Sequence, residues 1–137
     1  MSLLNECIEA LGDNANVLSN SDTELIFSAF EDAFPITKWA RIDWDKIDEK
    51  IKFDSSSDIL SYLRDRFSPE DLDKHFYILW DNASLPTIKV KLEQILNAID
   101  DVTAVSFDTW IFSPELGYVI EFYHEGEITI GIVSNSM

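Results

Sequence analysis

The chain has 137 residues, 46 % of them hydrophobic, with 26 acidic against 10 basic side chains and a formal charge of −16. At this length one domain whose core needs neither disulfide nor metal is the expectation, and nine Phe, four Trp and four Tyr supply the large apolar surfaces that disordered acidic tails lack. The acid excess excludes nucleic acid and anionic membranes as direct partners, because both repel it and no Lys/Arg cluster offsets that repulsion.

No apolar run approaches the roughly 20 residues that cross a bilayer. MSLLNECIEA has no basic residue and carries two glutamates where an export signal needs a neutral apolar segment, so a cytoplasmic location is expected. The single Cys7 agrees, since it allows no intramolecular disulfide. Ser2 is placed to cap a first helix whose face is Leu3, Leu4, Cys7, Ile8 and Leu11, with Gly12 as its stop. A second helix is expected from Ser21-x-x-Glu24, a capping box in which each side chain satisfies the other residue's unpaired backbone N–H. Leu25, Ile26, Ala29, Phe30 and Ala33 follow at helical spacing, and Pro35 ends it. Glu31 and Asp32 in its last turn face the negative end of the helix dipole, at a cost of a few tenths to about 1 kcal/mol.

The stretch 36–54, ITKWARIDWDKIDEKIKFD, admits two readings. Asp43 can cap a short helix that turns Trp44, Ile47 and Ile51 inward, or WARID and KIKF can be edge strands. Ser56 or Ser57 then opens a helix running to Phe67 with Ile59, Leu60 and Leu63 buried, and Ser68-Pro69-Glu70-Asp71 starts a short one, because proline suits the first helical position. HFYILWDN is a continuous apolar run that suits a strand buried on both faces. A helix over 86–99, with Ile88, Leu92, Ile95, Leu96 and Ile99 on one side, precedes a further strand in VTAVSFDTWIF. Strand, helix, strand over about 35 residues is the spacing of a right-handed parallel crossover. GYVIEFYHEGEITIGIV closes the pattern as an antiparallel hairpin turning at Glu125-Gly126. The predicted fold class is α/β in the mixed α+β sense: residues 1–137 as a single domain, with helices packed on a mixed sheet of four or more strands.

The charge is unevenly distributed. Residues 1–37 hold seven acids and no base, residues 38–91 eleven acids and ten bases, and residues 92–137 eight acids and no base. Like charges on a small body repel within a Debye length of about 8 Å. An excess confined to the two terminal thirds points to solubility or to a strongly basic partner drawn in by long-range attraction.

Motifs for chemistry are missing. There is no Walker loop, GxGxxG or GxSxG, and four glycines in the whole chain leave little material for a phosphate cradle. Cys7 stands among Leu and Ile on a helix face, the setting of an inert thiol. His124-Glu125-x-Glu127 offers a metal an imidazole and carboxylates, but a closed site needs more nitrogen or sulfur ligands than this turn supplies. No catalytic residue, metal or other cofactor is therefore expected. Candidate contact residues are clearer. Asp108 with Trp110, and Glu121 with Tyr123, alternate along presumed strands, so each pair can share a face. Aromatic anchors beside carboxylates suit docking against Arg and Lys, and burial of Trp110 and Tyr123 in the core is the competing reading. Asp81 suits a helix-entry cap or a contact, and His124, Glu125 and Glu127 complete the candidate set at the turn.

The segments SDTELIFSAFEDAFP, FYILWDNASLP and VSFDTWIFSPELGYVIEFYHEGEITIG resemble the immunity proteins of bacterial contact-dependent growth inhibition systems. The resemblance spans most of the chain, is densest from Val105 to Gly131, and rests on no catalytic motif. It implies a cytoplasmic protein, not an enzyme, that binds the carboxy-terminal domain of a toxin delivered by a neighbouring cell. For relatives of this kind the toxin is a nuclease, often one that cuts tRNA. A nuclease presents basic residues to RNA, and carboxylates placed where phosphates would lie can cover them. Two other readings stay open: a small hydrolase using carboxylates such as Asp108 and Glu121, and an acidic adaptor domain that binds a basic host protein.

Overall fold

The computed structural model describes residues 2–36, 42–47, 49–82, 84–124 and 126–132. Helix α1 (Leu3–Leu11) is capped as its sequence predicts: Ser2 Oγ accepts from the Asn5 N–H at 3.1 Å, and Gly12, at φ 92°, turns the chain away with its N–H on the Ile8 carbonyl. Cys7 and Leu11 are buried. A two-residue strand, β1 (Asn16–Val17), precedes α2 (Asn20–Ala33). The cap of α2 is Ser19 rather than Ser21, with the Ser19 Oγ accepting from the Asp22 N–H at 3.1 Å. Either serine offers an oxygen; the earlier one gains helical hydrogen bonds and brings Asp22 into the first turn, where the dipole favours it. Phe30 is buried as expected, while Leu25 is 67 % exposed, because the stripe that packs runs through Ile26, Phe30 and Phe34.

Residues 42–53 combine the two readings of that stretch. Trp44–Lys46 is a single 3₁₀ turn with Trp44 and Ile47 inward, and Glu49–Phe53 is strand β2. Asp43 precedes the turn without a side-chain cap bond, and Ile51 lies on the exposed edge strand, not in the core. Most of WARID falls outside the described residues. Helices α3 (Ser56–Arg66) and α4 (Pro69–Leu72) start from Ser55 and Ser68, whose hydroxyls accept from the Asp58 and Asp71 N–H groups. Strand β3 (His75–Trp80) carries the continuous apolar run.

The expected helix over 86–99 contains a strand. Ile88–Lys91 forms β4, hairpinned to β3, and helix begins only at Leu92, as α5 (Leu92–Asn97) and α6 (Ile99–Thr103). In IKVK the apolar residues alternate and are β-branched, so the two-residue period prevails although Ile88 also fits a helical face. Val102 and Thr103 belong to α6, and only Thr109–Ser113 of the following segment is strand, β5. The helical connection therefore joins β4 to β5, which flank β3 and run antiparallel to it. The parallel pairing of the 75–82 strand with the next is corrected to an antiparallel one. Strands β6 (Tyr118–Phe122) and β7 (Ile128–Ile132) form the predicted hairpin, with Gly126 at φ 102° in its turn.

Among the described residues the sheet runs β1-β4-β3-β5-β6-β7-β2 with every pairing antiparallel, where a mixed sheet was expected. Helices cover it as predicted. On one face Ile78, Ile88, Val90, Ile111, Ile120 and Ile130 pack against α1, α3, α5 and α6. On the other, Leu79, Trp110, Phe112 and Val119 pack against Phe30 of α2, Phe34 just after it, and Ile42, Trp44 and Ile47.

Candidate functional site

At one end of the sheet the loop after β3, the segment entering β5 and the turn after β6 converge. Asp81 directly follows β3, and its N–H reaches the Asp108 carbonyl at 3.3 Å. Its Oδ1 accepts from the Ser106 hydroxyl at 2.6 Å and the Asp108 N–H at 3.2 Å. Asp81 thus extends the β3–β5 pairing by a side-chain bridge; it does not cap a helix. Asp108 is buried and reaches the turn: its Oδ1 accepts from the His124 N–H at 2.8 Å and faces His124 Nδ1 at 3.0 Å. An acceptor oxygen there selects the form of the imidazole that carries its proton on Nδ1.

Rings gather on this frame. His124 packs against Tyr123 with centroids 4.3 Å apart and ring planes tilted by 47°, and meets Phe107 edge-on at 6.2 Å. Phe107 is 79 % exposed. Beside it lies a cleft of about 390 Å³ whose lining includes Asp54, Asp100, Phe107, Tyr123 and His124 and, among the described residues, no Lys or Arg. Of the sequence-derived candidates, this rim brings together Asp81, Asp108, Tyr123 and His124. Glu127 stands exposed at the turn with its carbonyl accepting from the Tyr123 N–H at 2.9 Å, and Glu125 lies outside the described residues. Phe107, Asp54 and Asp100 went unnoticed in the sequence. No periodicity marks a lone aromatic in Ser-Phe-Asp as exposed, and Asp54, just after β2, is brought here from a distant part of the chain.

Trp110 and Glu121 sit elsewhere. They face each other across β5 and β6 beneath α2, and Glu121 is 1 % exposed. Glu121 Oε1 accepts from Trp44 Nε1 at 2.9 Å; Oε2 accepts from Trp110 Nε1 at 3.0 Å and from the Ile42 N–H at 3.1 Å. The core reading of Trp110 is the one this burial supports. Strand alternation does put these residues on one face, but α2 and residues 42–47 cover that face. Asp108 and Tyr123 lie just beyond the strand ends, where alternation no longer governs.

Other chemistry finds little material. Burial, reinforced by the negative charge of Asp101, pushes the Cys7 thiol up to about 12, so its nucleophilic thiolate is scarce at neutral pH. Among the described residues no group of three or more His, Cys, Asp or Glu side chains is placed to hold a metal ion, and no helix is long and apolar enough to cross a membrane. Compared with known proteins, the chain matches the family model described as CdiI immunity protein EcoliA0-like over residues 1–131. No curated protein matches it.

Proposed function

The chain belongs to the CdiI immunity protein family, and from that premise we propose that it acts in the cytoplasm as a stoichiometric inhibitor of a cognate contact-dependent growth inhibition toxin. The toxin's carboxy-terminal domain, in this reading, is a nuclease that cuts tRNA. Family membership supports neutralisation, and the charge supports the nature of the target: a body of formal charge −16 attracts a basic RNA-cutting surface over long range and repels RNA itself. Inhibition is then occlusion, with carboxylates lying where phosphates would bind and no bond made or broken.

The observation that carries the contact assignment is Phe107, a large apolar side chain 79 % exposed beside carboxylates and two further rings. Burying such a side chain is worth about 1.5–3 kcal/mol, and an aromatic anchor ringed by charge is the pattern of an interface hot spot. With Phe107, the proposed contact set is Asp81, Asp108, Tyr123, His124 and Glu127, joined by Glu125 on the strength of its place in the sequence alone. Trp110 and Glu121, buried beneath α2, are left out of that set.

Co-expression tests the proposal. The wild-type chain should restore growth to cells making the terminal domain of the toxin encoded immediately upstream. Phe107→Asp should keep the fold by near-ultraviolet circular dichroism and lose at least about 30-fold in affinity, the equivalent of a hot spot of about 2 kcal/mol. Unchanged affinity would move the contact away from this rim, and failure of the folded wild-type chain to rescue would refute toxin neutralisation.

A further inference from the structure

A second cleft opens on the other side of the Asp81–Asp108 bridge, between α2 and the sheet, with a volume of about 390 Å³. That is near the lower end of the roughly 300–1,000 Å³ typical of ligand clefts. Its lining includes the half-buried Phe27 and the buried Phe30 and Trp110; the Trp80 indole lies on the opposite face of the sheet, where its N–H donates to the Val102 carbonyl. Glu24, Glu31 and Asp81 contribute carboxylates, and no Lys or Arg lines it among the described residues. Glu24, Phe27 and Glu31 stand at i, i+3 and i+7, so the two acids flank the ring along about 10 Å of helix. Asp81 directly follows β3, and among the described residues its side chain accepts on Oδ1, from Ser106 and Asp108.

Two facts separate this cleft from a merely solvated acidic face. Glu31 lies in the last turn of α2, which holds no basic residue, so its charge opposes the helix dipole and weakens the free protein. Among the described residues neither Glu24 nor Glu31 has an ion-pair partner. A cation arriving in the cleft would reverse the sign of both effects.

We infer, resting on the function proposed above, that this cleft is the socket for an arginine side chain of the toxin domain. A guanidinium stacks on aromatic faces and offers a planar fork to carboxylates, whereas the compact, strongly hydrated ammonium of lysine gains less from such walls. The socket is continuous with the Phe107 rim. Asp81 lines the α2 cleft, and its hydrogen-bond partner Ser106 lines the cleft beside Phe107, so one partner surface spans both.

The test uses the whole chain with N-acetyl-arginine-N-methylamide as probe, followed by nuclear magnetic resonance. The indole N–H signal of Trp110 should shift saturably while that of Trp80, on the opposite face of the sheet, stays in place; the uncharged citrulline analogue should leave both unmoved, and the double variant Glu24→Gln/Glu31→Gln should abolish the response. No shift, or an equal shift with citrulline, overturns the socket. With the toxin domain itself, the double variant should bind at least tenfold more weakly than wild type, while Glu31→Gln alone raises the melting temperature. A residue serving only the fold would lower it. Equal toxin binding by wild type and double variant overturns the socket and leaves toxin neutralisation standing; absence of binding by wild type removes the proposed function itself, and the socket's occupant with it.

Discussion

The two faces of the sheet bury their residues in different ways. Under α1, α3, α5 and α6 the contacts are largely aliphatic, strand isoleucines and Val90 against helical leucines and isoleucines, and for these a close-packed arrangement of similar volume would serve, although the Trp80 indole N–H is aimed at the Val102 carbonyl. Under α2 the layer is aromatic and contains a charge. Phe30 meets Trp110 and Phe112 with ring centroids 5.4 and 5.5 Å apart, and Glu121 gathers the indoles of Trp44 and Trp110 and the backbone of Ile42. A methyl group accepts neighbours from any direction, but a carboxylate oxygen accepts only from donors aimed at it. The aliphatic face thus supplies cohesion, and the aromatic face fixes where residues 42–47 land and how the α2 cleft is shaped.

The sharpest way to break this comparison is Glu121→Ala. It strands two indole N–H groups and one backbone N–H in the core and should cost about 3–5 kcal/mol in urea unfolding. Glu121→Gln, which keeps an acceptor oxygen, should cost clearly less. If the alanine variant lost under about 1 kcal/mol, well below the 2–5 of an Ile→Ala cavity such as Ile120→Ala on the opposite face, the directional role of Glu121 would be gone.

Next in size is Gly131→Ala. A Cβ there would stand 2.6 Å from Trp44 Cζ3 and 3.3 Å from Val119 Cγ1, so the indole must swing away from Glu121. Overpacking of this kind should cost about 1–3 kcal/mol and shift the tryptophan emission. A neutral melt with unchanged emission would mean that the aromatic layer yields as readily as the aliphatic one.

Asp108→Ala should cost about 1 kcal/mol, since it removes the acceptor for two His124 donors while His124 itself remains partly in water. The loss should appear as line broadening of the His124 and Phe107 signals, with the Trp44 and Trp110 indoles unmoved. Movement of those indoles would couple the rim to the aromatic core.

The smallest effect concerns Cys7 in the aliphatic core. Its thiol is raised from 9.0 to about 12, so the fold favours the neutral form. That contribution is complete below the unfolded value, near 9, and is lost as the pH climbs to about 12; Cys7→Ser should flatten the decline. At pH 8 the native thiol should resist a disulfide reagent that modifies it at once in urea. Rapid native labelling would show that this face opens more easily than its packing implies.

How much of this was legible in the residues follows from the range of each interaction. The Ser2 cap and Gly12 stop, the Ser68-Pro69 start and the turn at Gly126 were all readable, because each depends on groups within a few positions. The strand at Ile88–Lys91 escapes a sequence reading because four residues fit both periods, and pairing with β3 decides between them. Within the site, the nature of the residues at Asp81, Asp108, Tyr123 and His124 could be read, but not that they meet while Trp110 and Glu121 are covered.

The sequence by itself determined the helix caps, the apolar strands, the surplus of carboxylates and the absence of catalytic motifs, since composition and near-neighbour chemistry suffice for these. Tertiary structure alone decided that the strands among the described residues pair antiparallel, that Phe107 faces water and that Glu121 is sealed by groups as remote as Ile42, 79 positions away. Exposure is a property of what covers a residue, and the covering elements here come from distant parts of the chain that only the folded arrangement brings together.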